Sequence, residues 1–118
     1  MQFSIGVDIE KTNRFKLPRA KTSFLRSIFS DKEIDICRRK KTPHISLAGK
    51  FCVKEAVVKV LRGDVDIRNI EVLNTITGEP EIYISGQKRS DIKCSISHTK
   101  DTAIAVVIIS STDYQSQH

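Results

Sequence analysis

Alternating apolar and polar residues predict a β-strand at the start of the chain. Over residues 3–10 the apolar side chains fall on one face of the strand, and the other face carries Ser4, Gly6, Asp8 and Glu10. Residues 70–73 and 81–84 predict two further strands, which the turn-rich residues 74–80 join as a hairpin. Residues 94–98 alternate again, and the apolar run 103–109 is typical of a strand buried on both faces.

Between these strands the pattern predicts helices. Residues 47–62 carry apolar side chains around most of a helical circumference, which predicts a helix buried in the centre of the domain and ended by Gly63. Ser30 and Glu33 have the spacing of a capping box that opens a short helix. The basic run 38–41 ends at Pro43, which we interpret as a helix terminus and loop, and the polar residues 86–93 favour a short helix.

This order of elements predicts an α+β protein. A chain of 118 residues with 39% hydrophobic residues has the size of one domain, so we expect residues 1–118 to form a single domain with a disordered tail from about residue 111. The three cysteines are odd in number and widely spaced, which is typical of a reducing cytoplasm rather than of a disulfide framework. We expect no signal peptide and no membrane span, because the apolar runs are far shorter than ~20 residues.

The charge of +6 is unevenly distributed. Residues 1–62 contain 15 basic and 6 acidic residues, whereas residues 63–118 contain 5 and 8. A basic half attracts an anionic partner, such as a nucleic acid, a membrane, a phosphorylated cofactor or an acidic protein.

Asp8, Glu55 with Lys59, and His98 are the candidate chemical groups. Each also has an ordinary structural interpretation, since Glu55 and Lys59 have the spacing of a common helix pair and a single histidine at a strand end is seldom catalytic. Together, two carboxylates, a lysine and a basic half are what a site for Mg²⁺ and a polyphosphate requires. The sequence contains no P-loop and no dinucleotide-binding glycine motif.

Three motifs resemble the holo-acyl-carrier-protein synthases, the small phosphopantetheinyl transferases. They occur in family order and cover nearly the whole chain: Gly6-Val7-Asp8-Ile9, Phe51-Cys52-Val53-Lys54-Glu55-Ala56 continuing to Lys59, and Ser95-Ile96-Ser97-His98-Thr99. Residues 47–50, 70–72 and 78–80 match as well. The resemblance departs at Cys52-Val53, where relatives often carry two alanines, and over residues 15–41, which match poorly and contain Pro18.

The resemblance implies an antiparallel sheet packed around a central buried helix, in a homotrimer that binds its cofactor at the subunit interfaces. The implied reaction transfers 4′-phosphopantetheine from coenzyme A to a serine of acyl carrier protein, with Mg²⁺, for fatty acid biosynthesis. By position, Asp8 and Glu55 would bind the metal, and these two with Lys59 would be catalytic. Lys50, Lys59, Pro80 and His98 would bind coenzyme A, and Arg14 would contact the carrier protein.

Two other classes of function remain open at this stage. One is a basic nucleic-acid-binding module that uses residues 38–41, although few aromatic residues lie near it for stacking and it leaves Asp8, Glu55 and His98 without a role. The other is an interaction domain without catalysis. Under the transferase interpretation we expect neither nucleic acid nor membrane as a partner, and the serine proton could pass to Glu55 or to a metal-bound water.

Overall fold

The computed structural model describes residues 2–16 and 22–110. Among these residues the chain forms three α-helices and six β-strands. The helices are α1 (Thr22–Arg26), α2 (Asp31–Arg38) and α3 (Pro43–Val60). The strands are β1 (Phe3–Lys11), β2 (Ile70–Asn74), β3 (Pro80–Ile84), β4 (Gln87–Lys88), β5 (Ile92–His98) and β6 (Thr102–Ser110). Short 3-10 turns occupy Thr12–Phe15 and Ile67–Asn69.

The strands form two antiparallel sheets, and α3 packs against both of them. The larger sheet has the order β1-β6-β5 and the smaller has the order β2-β3-β4. Helix α3 packs along β1 and β6 and also contacts β2 and α2. The predicted α+β class, with antiparallel strands around a central buried helix, is therefore confirmed.

Helix α3 begins earlier than the sequence predicted. Pro43 is its first residue, four residues before the predicted start at residue 47, whereas the helix terminus and loop predicted for residues 38–41 are confirmed by the end of α2 at Arg38. The reason is that proline fits the first turn of a helix, where its missing N–H has no partner to lose. The helix ends near its predicted end, since Gly63 has a φ of +78° and donates its backbone N–H to the carbonyl of Val58.

The capping box that was predicted for α2 is confirmed. Glu33 donates its backbone N–H to the hydroxyl of Ser30, and the Glu33 carboxylate accepts the backbone N–H of Ser30. The Glu33 side chain is nevertheless fully buried, which is unusual for a residue that begins a surface helix.

Strand β1 packs its polar face against α3. Gly6 allows this contact, because a Cβ at this position would lie 2.6 Å from the carbonyl oxygen of Ala56. Asp8 is on the same face and is only 9% exposed. The apolar residues of β1 point away from the helix and are 49–69% exposed: Phe3, Ile5, Val7 and Ile9.

Within this single chain, strand β6 is buried on one face only, whereas the sequence predicted burial on both faces. Ala103, Ala105 and Val107 face α3 and are fully buried. The alternate residues Ile104, Val106 and Ile108 are 37–38% exposed, because α3 covers only the other face of the sheet. They continue the exposed apolar face of β1 through direct strand pairing, as Ile5 lies opposite Ile108 and Val7 opposite Val106.

The short helix that was predicted over residues 86–93 is absent from the described chain. A tight turn replaces it, since Ser85 and Gly86 have φ values of 51° and 83° and lead from β3 directly into β4. Two other predictions, the break at Pro18 and the tail from about residue 111, lie outside the described residues. No helix among the described residues is long and apolar enough to cross a membrane.

Candidate active site

Asp8 and Lys59 meet at the contact between β1 and α3. The Lys59 ammonium donates to Oδ1 of Asp8 over 3.1 Å and to the carbonyl oxygen of Val7 over 3.0 Å. The Lys59 side chain is 56% exposed, whereas Oδ2 of Asp8 is buried and has no hydrogen-bond partner. A buried carboxylate oxygen without a partner is costly, so Oδ2 of Asp8 is an acceptor whose hydrogen-bonding capacity is unused.

Glu55 lies one helical turn before Lys59 on the same side of α3. The ordinary structural interpretation, a pair between these two side chains, is wrong, because Lys59 bonds to Asp8 instead. Among the described residues the Glu55 carboxylate has no ion-pair partner. The structure therefore leaves two carboxylates beside Lys59 with free acceptor capacity.

Mg²⁺ fits this arrangement. It is a hard cation that proteins commonly hold with one or two carboxylates, while substrate phosphates and water supply the other oxygens. The orphaned Oδ2 of Asp8 is an acceptor of this kind. Within residues 2–16 and 22–110 no three His, Cys, Asp or Glu side chains are grouped so that they could hold a metal ion by themselves.

Glu10 and Arg14 extend this site along β1. The two side chains form an ion pair, and the Arg14 guanidinium also lies over the rings of Phe15 and Phe51 at 5.6 and 5.3 Å. Burial raises the pKa of Glu10, Arg14 opposes the rise, and the carboxylate of Asp8 adds to it. Glu10 therefore lies between Asp8 and Arg14 and close to both.

Cys52 is a thiol next to these carboxylates. Its Sγ is fully buried and donates to the carbonyl oxygen of Ala103 over 3.4 Å. Burial raises the pKa of Cys52 to about 12, and the charges of Asp8 and Glu10 contribute. The thiol is therefore protonated at neutral pH, so it adds no charge to the site.

Lys50 and His98 lie elsewhere, in a cleft of about 270 Å³ between α3, β2 and β5. The Lys50 ammonium donates to the carbonyl oxygen of Val72 over 2.6 Å and to Oδ1 of Asn74 over 3.0 Å. Burial lowers the pKa of Lys50. His98 is exposed at the end of β5, with Nδ1 at 3.3 Å from the carbonyl oxygen of Thr99. The cleft thus presents a lysine and an imidazole that could meet an anion.

Pro80 lines a second cleft, of about 250 Å³, between β3 and β5. It pairs with Asn74 across the β2–β3 hairpin, but it does not line the cleft of Lys50 and His98. Ile76, in the turn of this hairpin, is completely exposed. The predicted cofactor residues are therefore divided over two surfaces of the chain.

Helix geometry explains why the predicted site residues form separate groups. Lys50 and Lys59 are nine residues apart, which places them about 13 Å apart along α3 and on opposite sides of it. Asp8, Glu55 and Lys59 form one group, and Lys50 and His98 form the other. A ligand bound to a single chain would have to pass around a buried helix to contact both groups.

Sequence reasoning missed Glu10 and Asn74 as members of these groups. Glu10 was visible in the alternation of β1, on the same face as Asp8, and its spacing of four residues from Arg14 was a further signal. Asn74 had no signal in the sequence, because its contact with Lys50 joins residues 24 positions apart.

Comparisons with known proteins agree with this structure. Residues 4–107 match the family model of the 4′-phosphopantetheinyl transferase superfamily. A holo-[acyl-carrier-protein] synthase of Caldanaerobacter subterraneus subsp. tengcongensis is 36% identical over 92% of this chain and 94% of its own length. One from Chlorobium limicola is 38% identical over 90% of this chain and 92% of its own.

A solved structure shows the same likeness in three dimensions. Helicobacter pylori holo-[acyl-carrier-protein] synthase, crystallised in complex with coenzyme A, is 32% identical, with a TM-score of 0.75 over 90% of this chain and 99% of the other. The family match spans most of the chain and the relatives align over nearly their full length. The chain therefore belongs to the 4′-phosphopantetheinyl transferase superfamily, and it is a transferase.

Proposed function

We propose that this protein transfers the 4′-phosphopantetheine group of coenzyme A to a serine of an apo acyl carrier protein, with Mg²⁺ and in support of fatty acid biosynthesis. The observation that carries the proposal is the buried Asp8 carboxylate, with Lys59 on one oxygen and no partner on the other. Relatives with this activity in their names align over nearly the whole chain. The products are holo carrier protein and adenosine 3′,5′-bisphosphate.

Asp8 and Glu55 would hold the metal through oxygen ligands. Bound there, Mg²⁺ would neutralise the pyrophosphate and stabilise the charge that develops on the leaving group. Lys59 has three N–H donors, of which two bond to Asp8 and Val7, so a third is available for a phosphate oxygen. Its position therefore suits the charge that forms at the reacting phosphorus.

The carrier serine must lose a proton as its hydroxyl attacks the β-phosphorus. Glu55 could accept that proton, since among the described residues its carboxylate has no ion-pair partner. The reaction releases adenosine bisphosphate as an anion, next to Lys59.

The exposed apolar face of the β1-β6-β5 sheet supports a homotrimer. The face is continuous over two paired strands and consists of seven side chains: Phe3, Ile5, Val7, Ile9, Ile104, Val106 and Ile108. Soluble monomers seldom expose a contiguous apolar surface of this kind, and closed symmetric assemblies cover such faces. We infer that copies of this chain pack their sheets together through this face.

A trimer would also unite the two groups of site residues. Asp8, Glu55 and Lys59 of one protomer would face Lys50, Pro80 and His98 of a neighbour, with coenzyme A between them. The separation of Lys50 from Lys59 on opposite sides of α3 favours this arrangement over a site within one protomer. The lysine and histidine of the cleft would then take the adenosine phosphates.

The basic half of the chain suits an acidic carrier protein. Arg14 is 47% exposed at the edge of the Asp8 group, where a docked carrier could present its serine. Opposite charges speed such an encounter and make it sensitive to salt. The cysteines Cys37, Cys52 and Cys94 are free thiols, which supports a cytoplasmic location.

The test is incubation of the protein with coenzyme A, Mg²⁺ and an apo acyl carrier protein, followed by mass spectrometry of the carrier. The proposal predicts a gain of one phosphopantetheine, and loss of this gain in excess chelator. An unchanged carrier mass would favour an interaction domain without catalysis. Tight binding of nucleic acid without turnover would favour the nucleic-acid-binding alternative.

A further inference from the structure

Arg14 is held in place by two kinds of contact. Its Nη1 donates to Oε1 of Glu10, and its guanidinium lies over the rings of Phe15 and Phe51. Phe15 and Phe51 are nearly fully buried, so they form a rigid surface beneath the guanidinium. A long side chain on a protein surface normally loses rotamer entropy when it binds a partner, and contacts that fix it beforehand reduce that loss.

Glu10 determines the direction in which Arg14 points. Its side chain is only 16% exposed, on the face of β1 that packs against α3, and Asp8 precedes it by two residues on the same face. An arginine that is tied to Glu10 therefore remains beside the metal-binding carboxylate. Without Glu10, the two aromatic rings would still hold the plane of the Arg14 guanidinium. No side chain of β1 would then fix the direction in which its N–H groups point.

Glu10 could also act in the opposite direction, as a competitor. A carboxylate that occupies Arg14 could compete with an acidic group of the carrier. Two observations argue against competition. The bond to Glu10 uses Nη1, while a guanidinium has five N–H donors, and the Arg14 side chain stays 47% exposed. Arg14 can thus bind a second carboxylate while Glu10 holds it.

We propose that Glu10 is a positioning residue, which orients Arg14 so that the carrier protein docks beside Asp8. The inference rests on the proposed function, because it assigns Glu10 a role in binding the acidic carrier. It concerns only the carrier, since Glu10 does not line the cleft of Lys50 and His98.

The test is steady-state kinetics of Glu10→Ala, Arg14→Ala and the double variant, with each substrate varied in turn. Loss of an exposed ion pair should raise the carrier KM of Glu10→Ala about two- to five-fold, with the coenzyme A KM and kcat unchanged. In the Arg14→Ala background the same substitution should have almost no further effect, because Glu10 acts through Arg14. Glu10→Gln, which keeps an acceptor oxygen, should lie between wild type and Glu10→Ala.

Asp91→Asn is the matched control. It removes the charge from another carboxylate–arginine pair, Arg89 with Asp91, which lies at the end of the sheet far from Glu10. This variant should keep the wild-type KM for both substrates. If Glu10→Ala does not fold, Glu10→Gln tests the inference. Its carrier KM should exceed that of Asp91→Asn, and equal values would contradict a role for Glu10.

Several results would overturn the inference. A lower carrier KM in Glu10→Ala would show that Glu10 competes with the carrier. If Glu10→Ala raised the carrier KM equally with and without Arg14, Glu10 would not act through Arg14. A raised KM for coenzyme A would place Glu10 at the cofactor site instead. Absence of turnover in the wild-type protein would instead refute the proposed function, so the two failures are distinguishable.

Discussion

A buried ion pair between Lys54 and Glu33 should be a major determinant of stability. The side chains are 1% and 0% exposed, and the ammonium lies 2.6 Å from the carboxylate. Lys54 also donates to the carbonyl oxygen of Ile28 over 2.7 Å, and Glu33 accepts the backbone N–H groups of Ser30 and Val72. The pair therefore joins α3 to the start of α2 and to β2.

Removing either partner would leave an uncompensated buried charge. Such single changes typically cost about 3–5 kcal/mol, and we expect about 3 kcal/mol for Lys54→Met because two backbone donors still solvate the Glu33 carboxylate. Glu33→Gln should cost a similar amount. The double variant should be less destabilised than the sum of the two by about 1–3 kcal/mol, because it removes both charges.

Urea denaturation of the four proteins at pH 7 measures these free energies of unfolding. Burial lowers the pKa of Lys54, with Glu33 opposing the shift, so in Glu33→Gln the pKa should fall further. Between this lowered pKa and the pKa of Lys54 in the unfolded chain, about 10.5, the folded chain binds fewer protons than the unfolded chain. In that range the free energy of unfolding rises with pH. The loss of unfolding free energy in Glu33→Gln, relative to wild type, should therefore be smaller at pH 9.5 than at pH 7. Single losses below about 1 kcal/mol, or strict additivity, would refute this reasoning.

Three further predictions concern the site, a buried thiol and the apolar face. Lys59→Ala should lower kcat by about 10²–10³ and change the coenzyme A KM less, whereas a structural lysine would lower only the melting temperature. Burial raises the pKa of Cys52 from 9.0 to about 12, so the folded chain keeps a proton that the unfolded chain loses above pH 9. The stability advantage of wild type over Cys52→Ala should therefore fall by about 1.4 kcal/mol from pH 8 to pH 10, and a constant difference in urea denaturation would contradict the shift. Val106→Glu should dissociate the proposed trimer in light scattering, while the control Ile76→Glu, on the hairpin turn, should not; equal masses for both variants would place the interface elsewhere.

Local patterns predicted most of the secondary structure. The alternation in β1, the spacing of Ser30 and Glu33, and the apolar circumference of α3 each depend on residues close together in the chain. The errors came from the limits of such patterns. Alternation defines two faces of a strand, but it does not reveal that the polar face of β1 packs on α3, which Gly6 permits.

The candidate site was predictable only in part. Family motifs pointed to Asp8 and Lys59, and the structure brings these two together. The contact of Lys50 with Asn74 joins residues far apart in sequence, so no local pattern could show it. Helical geometry places Lys50 on the side of α3 opposite Lys59. Whether the two lysines contact one ligand depends on how copies of the chain assemble, which the sequence of one chain does not specify.

We propose that Asp8, Glu55 and Lys59 of one protomer and Lys50 and His98 of another form one coenzyme A site. Subunit mixing tests it directly. Asp8→Asn removes a metal ligand, and His98→Asp places a carboxylate where phosphates would bind, at an exposed position that the fold tolerates. Each variant alone should be nearly inactive.

Coexpression of the two variants with different affinity tags, and purification through both, yields mixed oligomers. If each site combines two protomers of a trimer, every mixed trimer has one intact combination among its three sites, so phosphopantetheine transfer to the carrier should recover to about a third of wild type. Mixed oligomers with no more activity than either variant alone would contradict a shared site and place all catalytic residues within one protomer.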